Sequence, residues 1–151
     1  MIITFCGHAQ YTETREDEQK LLSLFAVLVG DRHTELYLGG YGSFDAFARK
    51  CGRKYQTAHP NTRLVFVTPY ITASYQKTHL NYDKSLYDEI LYPHLEEKPL
   101  RFAISYRNRW MVEQADYVIA CVTHEWGGAY KTYQYAKRKQ KQIFNIAQKE
   151  N

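Results

Sequence analysis

The sequence has few cysteines, and the three it has, Cys6, Cys51 and Cys121, are widely spaced with no Cys-x-x-Cys pair. An odd, scattered set excludes a disulfide framework and a zinc site, and points to reduced thiols and a cytoplasmic protein. Cys6 and His8 have no further ligands at metal-binding spacing, so no metal is expected. No apolar run approaches the ~18 residues of a membrane span, and no membrane partner is expected. The opening Met1-Ile2-Ile3-Thr4-Phe5-Cys6 lacks a basic n-region and stops at Gly7, so it does not read as a signal peptide. No repeat, low-complexity tract or Pro/Gly-rich linker divides the chain, which is expected to form a single domain over residues 1–151. Charge of one sign is also scarce. Twenty Lys and Arg against 16 Asp and Glu leave a formal charge of +4, far from the dense basic stripe of a dedicated duplex-DNA binder. No Walker A motif, complete dinucleotide fingerprint or Ser/His/Asp set is visible.

What is present describes a globular α/β chain. Hydrophobic residues make up 44% and charged residues 24%, which excludes a disordered chain. At this length a fold buries roughly 70% of its unfolded surface without needing a staple. The 14 Tyr carry apolar bodies and polar tips, suited to half-buried packing, a wet interface or a stacking pocket. Ile2–Cys6 reads as a strand, and from Thr14 the apolar residues Leu21, Leu22, Leu24, Phe25, Leu28 and Val29 recur at helical spacing. Glu16, Asp17 and Glu18 open that helix and Gly30-Asp31 close it. Glu35–Leu38 is a second strand, and Ser43 offers an N-cap hydroxyl to a helix with Phe44, Phe47, Ala48 and Cys51 on its apolar side. Arg63–Thr68 is the third strand, stopped by Pro69. Tyr70–Asp83 is a polar connection, a candidate lid or edge segment. Ser85–Tyr92 reads equally as helix or strand, and Arg107–Gln114 as helix. Asp116–Val122 is a fourth strand buried on both faces, Ala129–Lys139 a last helix, and Gln142–Ile146 a closing strand.

This alternation predicts an open, mostly parallel sheet with helices on both faces. Ligands in such sheets gather beyond the strand carboxyl ends, in the loops after Cys6, Leu38, Thr68 and Val122. Two of those loops are Gly-Gly turns that open helices: Gly39-Gly40-Tyr41-Gly42-Ser43 and Gly127-Gly128-Ala129-Tyr130-Lys131-Thr132. Such a turn is either backbone punctuation or a cradle whose amides and helix dipole attract phosphate. Between them stands Arg107-Asn108-Arg109-Trp110. Arg107 shares a helix face with Met111 and is a candidate for a bidentate anion contact, whereas Arg109 points elsewhere and reads as solvated. Gly7-His8, at the exit of the first strand, can reach the same crevice. Lys137-Arg138-Lys139 and Lys141 complement a helix C-terminus.

These pieces, Phe5-Cys6-Gly7-His8, Leu38-Gly39-Gly40-Tyr41-Gly42, Arg107-Asn108-Arg109-Trp110-Met111 with Ala115-Asp116, and Gly127-Gly128-Ala129-Tyr130-Lys131-Thr132, occur in an order that resembles the SLOG superfamily. That superfamily groups the DNA-processing protein DprA with LOG-type phosphoribohydrolases. The wording is similar to the YpsA-type branch of small single-domain members, over nearly the whole chain. The resemblance implies a Rossmann-like sheet that binds nucleotides or nucleotide-derived ligands at its carboxyl edge. Arg107 and Met111 precede Ala115-Asp116 at the LOG spacing, so Arg107 inherits a candidate ribose-phosphate contact. The LOG phosphate loop, Pro-Gly-Gly-x-Gly-Thr-x-x-Glu, is only partly kept. The Pro is missing, Tyr130 replaces a Gly, and the catalytic Glu is absent, with Gln134 or Tyr135 in its place according to alignment. Neither side chain does the acid–base work of a carboxylate.

The expected ligand-binding set is therefore Gly7, His8, Gly39, Gly40, Tyr41, Gly42, Arg107, Asn108, Gly127, Gly128, Ala129 and Thr132. The expected ligand is of the AMP, NAD or ADP-ribose type, and the leading function is a nucleotide sensor or binding domain without LOG-type catalysis. One alternative is N-glycosidic hydrolysis of a nucleoside monophosphate, with Glu125 beside the second Gly-Gly turn, or Arg107, as catalytic candidates. The other is single-stranded nucleic-acid binding of the DprA kind, with tyrosines stacking on bases. Trp110 and Trp126 suit a homodimer interface, or packing in the core or over the ligand site.

Overall fold

The computed structural model describes residues 1–70 and 84–147. Six strands, β1 (Ile2–Gly7), β2 (Thr34–Leu38), β3 (Thr62–Val67), β4 (Glu89–Leu91), β5 (Tyr117–Cys121) and β6 (Gln142–Asn145), form one sheet in the order β4-β3-β2-β1-β5-β6. Every pairing is parallel. The expected open α/β sheet is thus present, with the strand expected as fourth standing fifth. The addition is β4, the outcome of the ambiguous Ser85–Tyr92 stretch. Its short Glu-Ile-Leu run lies at the sheet edge, where Asp88 accepts the Leu64 amide at 2.8 Å and Arg53 Nη1 at 2.7 Å. The lid or edge expectation for Tyr70–Asp83 falls, beyond Tyr70, outside the described residues.

Side-chain alternation sorts the core into two layers. Leu36 and Leu38 of β2, Leu64 and Phe66 of β3, and Ile119 and Cys121 of β5 face helices α1 (Arg15–Leu28) and α2 (Ser43–Ala58). The residues between them, Tyr37, Val65, Val67, Val118 and Ala120, face α3 (Ala103–Gln114) and α4 (Gly128–Arg138). Small residues on this second side, Cys6, Ala115 and Ala120, give α4 a low surface to pack on, which it meets through its own Ala136. Thr14 caps α1, its hydroxyl accepting the Asp17 amide at 3.0 Å, and the acidic first turn follows as expected.

The cap of α2 differs from expectation. Gly42, at φ +87°, is the N-cap, and Ser43 is already helical. Its hydroxyl instead donates to the Ala9 carbonyl at 2.8 Å and accepts the Tyr11 amide at 2.7 Å. Ser43 therefore ties the loop after β1 to the start of α2. A side chain at Gly42 would also press on Ala9, at 2.8 Å, so the two loops meet without room to spare.

The strand order reverses between β1 and β5. Moving outward from β1, one chain half runs through β2, β3 and β4, and the other through β5 and β6. The crevice beyond the carboxyl ends of β1 and β5 is the position where open α/β sheets bind ligands.

Candidate functional site

A cavity of about 750 Å³ opens at this reversal point. Phe5, Cys6, Gly7, His8, Ala9 and Gln10 contribute from β1 and its exit, Tyr41 and Asp45 from the β2–α2 turn, and Ile104, Arg107, Asn108 and Met111 from α3. His124, Trp126, Gly127, Gly128, Ala129 and Thr132 close it from the β5–α4 turn and α4. Among the expected ligand-binding residues, Gly7, His8, Tyr41, Arg107, Asn108, Gly127, Gly128, Ala129 and Thr132 meet here, while Gly39, Gly40 and Gly42 do not line the cavity.

The two Gly-Gly turns differ in what surrounds them. In the first, the amides of Gly39, Gly40 and Tyr41 are directed at the Asp45 carboxylate, with Tyr41 N 3.4 Å from Oδ2. The anion that satisfies this turn is the protein's own. A Cβ on Gly39 would lie 3.0 Å from the Arg107 guanidinium, and one on Gly40 would lie 2.3 Å from the Phe66 ring, at φ +76°. These glycines are demanded by packing inside the fold. The second turn is the opposite case. Gly127, at φ +90°, and Gly128 have nothing within 4 Å of an added Cβ, and both border the cavity. The first-turn amides of α4 have no carbonyl within the helix to bond, and the dipole places partial positive charge there.

Arg107 is not a solvated arginine. Only 2% of it is exposed. Nη1 donates to the carbonyls of Gly39 at 2.8 Å and Val67 at 2.7 Å, and Nε donates to Asn108 Oδ1 at 2.9 Å. The guanidinium thereby clamps the ends of β2 and β3, and it lies 5.4 Å from the Tyr41 ring centroid. Burial works against its charge while Asp45 supports it. Burial likewise pushes the Asp45 carboxyl up to about 6, against the pull of Arg107 and the turn amides. Desolvation outweighs attraction for both partners, as is common for a paired charge taken out of water. Arg109, as expected, is exposed, lying 5.4 Å from the Tyr135 ring centroid.

His8 is held by its neighbours. Nε2 accepts the Thr123 amide at 2.9 Å, and the ring stacks on His124 at 3.6 Å and 15°. Burial and the adjacent His124 lower its pKa, so it is the neutral acceptor form. His124 stacks in turn on Trp126, at 3.7 Å and 19°, and its Nδ1 is buried without a partner among the described residues. Cys6 lies against the cavity floor, but burial pushes its thiol up to about 12, which makes it inert. No group of three or more His, Cys, Asp or Glu suited to a metal occurs among the described residues.

The acid–base candidates fare differently from the binding ones. Glu125 is exposed and does not line the cavity. Gln134 donates to the Tyr130 hydroxyl at 3.0 Å, and the Tyr135 hydroxyl donates to Glu113. Both line a neighbouring recess of about 330 Å³ that also takes in Arg109, Lys131 and Arg138 and shares Asn108, Gly128 and Thr132 with the main cavity. The carboxylate that does border the cavity, Asp45, looks in sequence like an ordinary first-turn helix acid. Trp110 stacks on Tyr37 at 6° between α3 and the sheet, whereas Trp126 is 69% exposed.

The fold is shared with solved structures of DNA processing protein A. The Helicobacter pylori protein, described for its single-stranded DNA binding mode, matches with a TM-score of 0.66 and 20% identity over 100% of this chain and 67% of that one. The Streptococcus pneumoniae protein matches at 0.62 and 14%, over 95% of this chain and 49% of that one. A protein designated TM1055 matches at 0.58 and 13%, over 94% of this chain and 71% of that one. The chain thus spans about two thirds of the first structure and half of the second. At these identities the likeness is one of fold, the Rossmann-like α/β architecture. No protein-family model and no curated protein matches the sequence. No helix among the described residues is long and apolar enough to cross a membrane.

Proposed function

We propose that the cavity binds a phosphorylated nucleotide or nucleotide-derived ligand of the AMP, NAD or ADP-ribose type, and that the protein is a binding or sensing domain of the SLOG kind. The observation that carries this reading is the Gly127-Gly128 turn. It opens a helix at the strand-order reversal, borders the cavity, and leaves empty the volume that a side chain would fill. Amides at such a terminus bind phosphate without a dedicated cation. Arg107 acts as the clamp that shapes the opposite wall. The YpsA-type wording of the sequence and the DprA-like fold support the same reading. A LOG-type reaction lacks support, since the Glu of that motif is absent and Glu125 stands outside the cavity.

The recess lined by Arg109, Lys131, Tyr135 and Arg138 favours a second reading, single-stranded nucleic acid entering from that side. Calorimetric titration at two salt concentrations separates the two. A mononucleotide site gives saturable binding of adenosine monophosphate with shallow salt dependence. An oligonucleotide that binds far more tightly, with affinity falling steeply in salt, would replace the first reading with the second. No binding of either would remove both.

A further inference from the structure

The aromatic stack at the cavity wall ties two loops together and ends in an exposed ring. His8 comes from the loop after β1, and His124 and Trp126 from the loop after β5, yet the rings lie parallel and in contact, at 3.6 Å and 3.7 Å. Stacks that serve packing are covered on their outer side. This one ends in a large ring that is 69% exposed and lines the cavity. His124 covers one indole face. The ring also stands directly before Gly127-Gly128, so an aromatic group laid on it is within a nucleotide's length of the α4 amides. His8, neutral and anchored through Nε2 to the Thr123 amide, fixes the inner end of the stack.

We propose that Trp126 is the base-binding platform of the site, and that the ligand's planar heteroaromatic base extends the His8–His124–Trp126 stack. This rests on the nucleotide reading above and adds to it the part of the ligand that supplies selectivity. A bare sugar phosphate meets the amides but leaves the indole uncovered. A nucleotide covers both. Stacking on an aromatic side chain tolerates any base, so the platform distinguishes nucleotides from sugar phosphates more than purines from pyrimidines.

The test compares adenosine monophosphate with ribose 5-phosphate, which carries the same phosphate and no base, by calorimetry on the intact chain. The wild-type protein is expected to bind the nucleotide about 5- to 150-fold more tightly, the range measured for loss of one base stack. Trp126→Ala should erase that preference and leave ribose 5-phosphate binding within about twofold. Trp126→Phe, which keeps a ring, should restore most of it. An exposed ring can be truncated without unfolding the protein, and Trp126→Phe guards against the exception. In a Trp110→Phe background, where Trp126 is the remaining tryptophan, the nucleotide should quench indole fluorescence and ribose 5-phosphate should not. Equal binding of the two ligands to wild type, or an undiminished preference in Trp126→Ala, overturns the platform while the phosphate site stands. Failure of both ligands to bind wild type overturns the nucleotide reading and the platform with it.

Discussion

Adding one methyl group at Gly128 separates the ligand's demands from the fold's. Gly128 is the first residue of α4, and an added Cβ meets no protein atom within 4 Å. Where a new side chain fits the native backbone, Gly→Ala stabilises by roughly 0.4–1 kcal/mol, chiefly by restricting the unfolded chain. With a urea slope of about 1–3 kcal/mol/M, the Gly128→Ala unfolding midpoint should rise by a few tenths of a molar. On the proposed nucleotide reading, the same methyl occupies the volume through which a phosphate would reach the α4 amides. Losing a hydrogen bond to a charged group costs about 1.5–3 kcal/mol, so adenosine monophosphate should bind about 10- to 150-fold more weakly. Gly128→Val should abolish binding in a protein that still folds. Gly40→Ala is the mirror experiment. Its Cβ would fall 2.3 Å from the Phe66 ring at φ +76°. A left-handed penalty of roughly 1–2 kcal/mol and overpacking of about 1–3 kcal/mol should lower stability markedly. Urea denaturation and calorimetry on the two variants give the comparison. A Gly128→Ala protein that folds and binds with wild-type affinity would refute the reasoning, as would a Gly40→Ala protein with unchanged stability.

Three further outcomes follow from the same geometry. Arg107→Ala should cost about 3–5 kcal/mol of stability in urea melts, because it strips the clamp on the Gly39 and Val67 carbonyls and leaves Asp45 uncompensated; an unchanged midpoint would return Arg107 to a role in ligand binding alone. Asp45 has its pKa raised from 3.8 to about 6, so its contribution to stability is full below pH 4 and lost as pH rises through about 6. That window should carry no more than about 3 kcal/mol and be flattened in Asp45→Asn, and equal slopes in the two proteins would contradict it. Finally, long incubation with purine and pyrimidine monophosphates should release no appreciable free base by chromatography, with Glu125→Gln indistinguishable from wild type. Brisk release abolished by Glu125→Gln would establish the hydrolase alternative.

The parts of the molecule legible in the sequence are those set by local periodicity. The β-branched runs at β3 and β5 and the amphipathic Leu21–Val29 stretch carry their structure in neighbouring residues. The Gly127-Gly128 turn is equally legible as a helix start, because a tight turn into a helix is set by local backbone. Other features depend on distant partners. Arg107 and Met111 share a face at four-residue spacing, but what buries Arg107 is a pair of carbonyls at Gly39 and Val67, brought together only by the sheet. Asp45 looks like a dipole-matching acid, and its task emerges only when the Gly39–Tyr41 amides curl onto it. Ser43 has the residue type of a cap, yet Gly42 takes that position because the chain must turn through φ +87° beside Ala9. The His8–His124–Trp126 stack joins loops more than a hundred residues apart, so no spacing rule could announce it.

On the proposed reading, the ligand's phosphate sits on the second Gly-Gly turn and not on the first. Amide chemical-shift mapping during titration with adenosine monophosphate tests it most directly. The largest changes are expected at the amides of Gly127, Gly128 and Ala129, with the Trp126 indole moving alongside them. The amides of Gly39, Gly40 and Tyr41, held by Asp45, should stay nearly still. Changes centred on Gly39–Tyr41, or none at Gly127–Ala129 at saturating nucleotide, would contradict the account.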